Sequence, residues 1–121
     1  MKIAFDFDGT LTEPSIKETA KIMIESGHDV WIVTARADCN VNWDLEKICE
    51  YINLPLDKVI FTNGDLKFYE YQKGNFELHY DDDYEEVLHI NNIGGIACLV
   101  NPDFEDIYMN MQFEKNQRTD E

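Results

Sequence analysis

Short apolar runs alternate along this chain with longer amphipathic stretches, each kind ended by turn residues. Ile3 to Phe7 is almost continuously apolar, with β-branched and aromatic side chains, which predicts a strand buried on both faces. Ser15-Ile16-Lys17-Glu18 has capping-box spacing, and Ile16, Ala20, Ile22, Met23 and Ile24 continue a helix that Gly27 should end. His28 to Thr34, with the run Val30-Trp31-Ile32-Val33, predicts a second strand. A helix capped by Asn40 or Asn42 then carries Trp43, Leu45, Ile48, Cys49 and Ile52 up to the Leu54-Pro55 break. Lys58 to Thr62 reads as a third strand closed by Asn63-Gly64, and Asp65 to Gln72 as a short helix closed near Gly74. In Phe76 to Tyr80, Phe76, Leu78 and Tyr80 alternate with Glu77 and His79, the pattern of a fourth strand. The acidic run Asp81 to Glu86 opens a helix to about Asn91, where its charges suit the helix dipole, and Ile96 to Val100 is a fifth strand. A weaker helix is expected over 104–113, followed by a polar tail over 114–121.

Five strands separated by helices imply an α/β fold, a three-layer, Rossmann-like sandwich around a parallel sheet, with right-handed crossovers and helices on both faces. The strand order expected is 3-2-1-4-5, with residues 1–113 forming a single domain. Such a sheet starts in its middle and leaves a crevice beside the carboxyl end of the first strand. Asp6 and Asp8 should face that crevice.

Composition narrows the function. With 25 acidic against 10 basic residues, the net charge of −15 argues against a nucleic-acid surface, which needs clustered Lys and Arg to displace counterions. An anionic substrate must therefore be drawn in locally, by a metal or a few bases. Cys39, Cys49 and Cys98 are odd in number and share no paired spacing, so they read as reduced thiols, with Cys98 in a core strand. No apolar stretch is long enough to span a membrane, and Met1-Lys2 runs straight into a strand rather than a secretory leader, which makes the cytoplasm the expected location.

Each strand end carries a group suited to phosphate: Asp6 and Asp8 after the first, Thr34 after the second, Lys67 after the third, Asp81-Asp82 after the fourth. Phosphoryl transfer asks mainly for charge neutralisation and alignment, so a nucleophile, a carboxylate-held metal, a hydroxyl and a lysine suffice. Plainer readings stand beside each. Asp6 to Gly9 could be a solvated turn, Thr34 a turn cap and Lys67 a surface lysine, with Lys73 as its competitor. Arg36 could take a second anionic group of a substrate or pair with nearby acids. His79 reads as a strand residue near the site, with His28 and His89 on the surface. Trp31 is assigned to the core, and Trp43 and Tyr69 to core or rim.

The sequence Asp6-Phe7-Asp8-Gly9-Thr10-Leu11-Thr12, with Thr34 in Val33-Thr34-Ala35-Arg36, Lys67 and Asp81-Asp82 in that order, resembles the haloacid dehalogenase superfamily, chiefly its Mg2+-dependent aspartyl phosphatases. The resemblance covers residues 1–100. It implies that Asp6 attacks phosphorus and that Asp8 protonates the leaving oxygen and then activates water. It gives Thr34 and Lys67 to the transferring phosphoryl group, and Gly9, Thr10, Ala35 and Arg36 to the substrate. Mg2+ would be held by the Asp6 carboxylate, the Asp8 backbone carbonyl and Asp82, with Asp81 close by. A shift of one residue would promote Asp81 or Asp83 instead; Asp82 is preferred because it sets Glu86 one helical turn away.

Many members of that superfamily insert a cap domain. The stretches from Asp8 to Thr34 and from Thr34 to Lys67 are consumed by predicted helices and strands, so no cap is expected and the site should be open. Such a site would admit large substrates, or would need a partner chain to close over small ones, which a homo-oligomer could supply. The substrate expected is a nucleotide or other small phosphomonoester. Three rivals fit less well. A phosphoacceptor receiver domain takes its phosphate at the third strand end, where Phe61-Thr62-Asn63 stands. A calcium loop started at Asp6 would place Leu11 where glycine and Lys17 where glutamate are needed. The third is a non-catalytic relative that binds a partner through its acidic surface.

Overall fold

A computed structural model describes residues 1–39 and 41–100. The elements are β1 (Lys2–Phe5), a helical turn (Phe7–Leu11), α1 (Pro14–Glu25), β2 (Asp29–Thr34), α2 (Trp43–Ile52), a short turn (Leu56–Lys58), β3 (Val59–Phe61), α3 (Phe68–Lys73), β4 (Leu78–Asp81), α4 (Tyr84–Asn92) and β5 (Ala97–Leu99). All neighbouring strands run parallel in the order β3-β2-β1-β4-β5, as the sequence pattern implied. The helix expected over 104–113, the tail over 114–121 and the Asn40 cap lie outside the described residues.

The strands are apolar on both sides because each side meets a helical layer. On one face Ile3, Phe5, Val30 and Ile32 pack with Ala20 of α1 and with Leu45, Cys49 and Ile52 of α2. On the other, Ala4 and Val33 meet Tyr71 of α3, Ile90 of α4 and Phe76. The period-two alternation of the strands thus divides the interior into two cores. Among the described residues, the connections between β1 and β2 and between β2 and β3 hold only the elements named above, with no inserted unit. No described helix is long and apolar enough to cross a membrane.

Several local expectations are corrected. α1 starts at Pro14, whose fixed φ suits the first helical position, and its N-cap is Glu13 rather than a capping-box serine. β4 begins at Leu78 and runs through Asp81, while Phe76 is buried before the strand starts. Cys98 lies on the edge strand β5 and is exposed, whereas Cys49 is the buried thiol. Trp31 is only half-buried, and Trp43 and Tyr69 are exposed.

Register places the site. Phe5 pairs with Ile32 on one side and Tyr80 on the other, so the chain emerges from β1 at Asp6 between the ends of β2 and β4. The Asp6 amide still donates to the Tyr80 carbonyl at 2.8 Å. Asp6 is therefore held by backbone at the carboxyl edge of the central strand, where open α/β sheets gather ligands.

Candidate functional site

Asp6 is only 4% exposed, and each of its oxygens has a partner. Oδ2 accepts from the Thr10 hydroxyl at 3.1 Å, and Oδ1 meets the Lys67 ammonium at 3.0 Å. Lys67 Nζ also donates to Asp81 Oδ2 at 2.9 Å. The same Asp81 oxygen contacts His79 Nε2 at 2.9 Å, and Oδ1 accepts from the Asp83 amide at 3.0 Å. From α4, Glu86 Oε2 accepts the Lys67 backbone N–H. Lys67 is thus gripped at both ends, while Lys73 is exposed in the last turn of α3.

Asp82 completes the group from the loop after β4. Oxygens of Asp6, Asp81 and Asp82 lie within 4.8 Å of one another, close enough to hold one metal ion together. Gly9 makes this approach possible. A Cβ there would stand 2.1 Å from Asp82 Oδ2, and the glycine φ of +77° is one that other residues rarely adopt. The Asp-Gly step after β1 is therefore a requirement for seating Asp82 beside Asp6.

Charge accumulates in this pocket. Burial, followed by the negative charge of Asp81 and contact with the Asp82 carboxyl, outweighs Lys67 and pushes the Asp6 carboxyl up to about 8. Burial raises Asp81 as well, but the bond from His79 and the Lys67 charge more than offset it and hold Asp81 below the usual carboxylate range. Burial works against the charge on Lys67, yet Asp6 and Asp81 together keep its ammonium above the ordinary lysine range. Glu86 is raised by burial. Two carboxylates in contact, Asp6 and Asp82, require a shared proton or a cation between them, and hard oxygen donors suit a divalent ion. Asp81 already accepts from three donors, which leaves Asp6 and Asp82 as the better placed ligands.

Other expected residues take different places. Thr10 is fully buried behind Asp6 and orients that carboxylate instead of lining the crevice. Thr34 is buried, and its Oγ1 accepts from the Arg36 amide at 3.2 Å, which uses one lone pair and leaves the hydroxyl hydrogen to donate. Ala35 is exposed, and its carbonyl ties the β2 loop to Gly64 at 2.8 Å. Asp83 caps α4 by accepting from the Glu85 amide at 3.0 Å, which gives it a structural use away from the acid cluster. Asp8 contributes no carboxylate to the cluster; both of its oxygens are held by Arg36, at 2.9 and 2.7 Å. Arg36 also reaches Asn42, grips Asp44 at 2.7 and 2.8 Å, and lies 4.7 Å from the centre of the Phe7 ring. Of the two roles the sequence leaves open for Arg36, substrate binding and pairing with nearby acids, its guanidinium takes the second.

The sequence reading missed His79 as a buried partner of Asp81 and Thr10 as a ligand of Asp6. The Thr10 signal was present, because a turn that follows Asp6 directly brings its fourth residue back over the strand end. No family model matches this chain, and no curated protein matches it either. The resemblance to the haloacid dehalogenase superfamily therefore stands on the motif residues alone.

Proposed function

We propose that the protein is a Mg2+-dependent phosphomonoester hydrolase that works through an aspartyl phosphate on Asp6. The observation that carries this reading is the buried Asp6 carboxylate at the end of the central strand, in contact with the Lys67 ammonium and the Asp82 carboxylate. A solvated turn would have neither the burial nor the lysine. Asp6 and Asp82 would hold the ion, whose charge would allow an anionic phosphate to approach a carboxylate nucleophile.

In the first step an Asp6 oxygen forms a bond to phosphorus as the bond to the leaving oxygen breaks, and that oxygen takes a proton from the Asp8 carboxyl. In the second, water attacks phosphorus, Asp8 takes its proton, and the bond to Asp6 breaks to release phosphate. Lys67 would offset charge on the nucleophile side, and the Thr34 hydroxyl would donate to a phosphoryl oxygen. Asp8 must leave the Arg36 clamp before it can carry a proton. An open, capless site would admit large esters, and a small ester, for which a nucleotide is the first candidate, would need a partner chain to close over it. The receiver-like alternative is disfavoured by topology. β3 is an edge strand here, whereas folds of order 2-1-3-4-5 place the third strand beside the first.

Phosphate release from a panel of phosphomonoesters, with and without Mg2+, tests the reading. Turnover is expected in the native protein with Mg2+ and not in Asp6→Asn. Equal release by both proteins, or none by either, would leave a non-catalytic binding module.

A further inference from the structure

His79 is difficult to explain as packing. Its ring is fully buried against Tyr71, with centroids 6.3 Å apart and planes at 85°, in a core otherwise built from Ala4, Val33, Phe76 and Ile90. Its Nδ1 makes no hydrogen bond to any described residue. A buried ring nitrogen without a partner costs free energy that a leucine or phenylalanine at this position would avoid. What the imidazole provides in return is Nε2, 2.9 Å from Asp81 Oδ2. Residues 79 and 81 share one face of β4, so the strand itself sets this contact.

Asp81 in turn sets Lys67. Its Oδ2 receives both His79 and the ammonium, and its Oδ1 is fixed by the Asp83 amide, so the carboxylate cannot rotate without losing a bond. We propose that His79 is a positioning residue: by locking Asp81 it fixes the point at which Lys67 divides its ammonium between Asp81 and Asp6. Lys67 carries a long flexible stem, and without a fixed acceptor behind it the ammonium has no defined place beside Asp6. The kinetic part of this inference rests on the proposed hydrolase activity, whereas the structural part does not.

The test compares His79→Leu, which removes the donor at similar volume, with His79→Gln, whose amide nitrogen can reach Asp81 as Nε2 does. For the full chain with Mg2+ and p-nitrophenyl phosphate, His79→Leu is expected to lower kcat about 10–100-fold with a smaller change in KM, as loss of an outer-shell partner does. His79→Gln should recover most of it. Crystal structures should show Lys67 Nζ displaced from Asp6 in His79→Leu and retained near the native 3.0 Å in His79→Gln. Native kcat and an unmoved Lys67 in His79→Leu would overturn the proposal, and so would a His79→Gln protein as impaired as His79→Leu. If the native protein releases no phosphate, the hydrolase reading fails, and the position of Lys67 in the two variants still decides the role of His79. Should His79→Leu not fold, His79→Asn, which is too short to reach Asp81, takes its place.

Discussion

Two ion triads stand at the carboxyl edge of this sheet, each with one cation between two aspartates. Lys67 joins Asp6 to Asp81 with every side chain under 10% exposed, whereas Arg36 joins Asp8 to Asp44 with both carboxylates 59% exposed. The outer triad has the better hydrogen-bond geometry, since the planar guanidinium meets each carboxylate with two bonds. The inner triad nevertheless has the larger electrostatic consequence. Water screens the outer charges, while the inner ones face each other across a low-dielectric interior, where an unmatched carboxylate is costly. Asp44 is held down to about 2, chiefly by its bonds to Arg36, and Asp6 is driven the other way, chiefly by burial. Burial alone does not decide the sign, since Asp81 is less exposed than Asp6 and is lowered by the bond from His79 and the Lys67 charge, whereas Asp6 faces Asp81 and Asp82.

The strongest way to break this contrast is Lys67→Met, which leaves Asp6 and Asp81 buried without their cation. A loss of about 3–5 kcal/mol is expected in urea unfolding of the metal-free protein, the usual cost of removing one partner of a buried pair. A loss under 1 kcal/mol would make the inner triad no different from the outer one.

An effect of similar order is expected from pH. Asp6 rises from 3.8 in its ordinary state to about 8 in the fold, so between those values the folded protein holds a proton that the unfolded chain has released. Stability contributed by this group therefore falls as pH rises through that window, and Glu86, also raised, acts in the same direction. The Tm of cation-free protein should drop between pH 5 and pH 8, and Mg2+ should reduce the drop. Asp6→Asn should remove the part of the drop that Mg2+ relieves. Parallel pH profiles with and without Mg2+ would show that no cation relieves the cluster.

The smallest effect belongs to Asp44→Asn. An exposed pair of this kind contributes about 0.2–1 kcal/mol, decreasing with salt. Because the folded Asp44 value lies below the ordinary one, that contribution is complete above about pH 4 and lost as pH falls toward 2. Stability measured at low and high salt, for native and Asp44→Asn protein, checks both statements.

The layered sheet was legible because each strand shows as a short apolar run and each helix as a longer amphipathic one, and connection rules left few topologies open. The place of Asp6 followed from the same pattern, since the run Ile3 to Phe7 has to end at a strand edge. What the sequence concealed was made by contacts between layers. His79 reads as the polar face of an alternating strand, yet α3 covers that face with Tyr71. Arg36 stands beside Thr34 in sequence, but Asp8 and Asp44 reach it from the turn after β1 and from α2. Cys98 sits in a strand as apolar as the others, and only the order of the sheet puts that strand at an exposed edge.

A free carboxylate spins about its Cβ–Cγ bond and presents two interchangeable oxygens. Asp6 does not: Thr10, from the turn after β1, holds Oδ2, and Lys67, at the start of α3, holds Oδ1. The side chain is therefore handed. If it attacks phosphorus, the oxygen that bonds is selected beforehand, and because water then attacks phosphorus, that same atom is returned to the protein while the oxygen of an 18O-labelled water leaves with the phosphate.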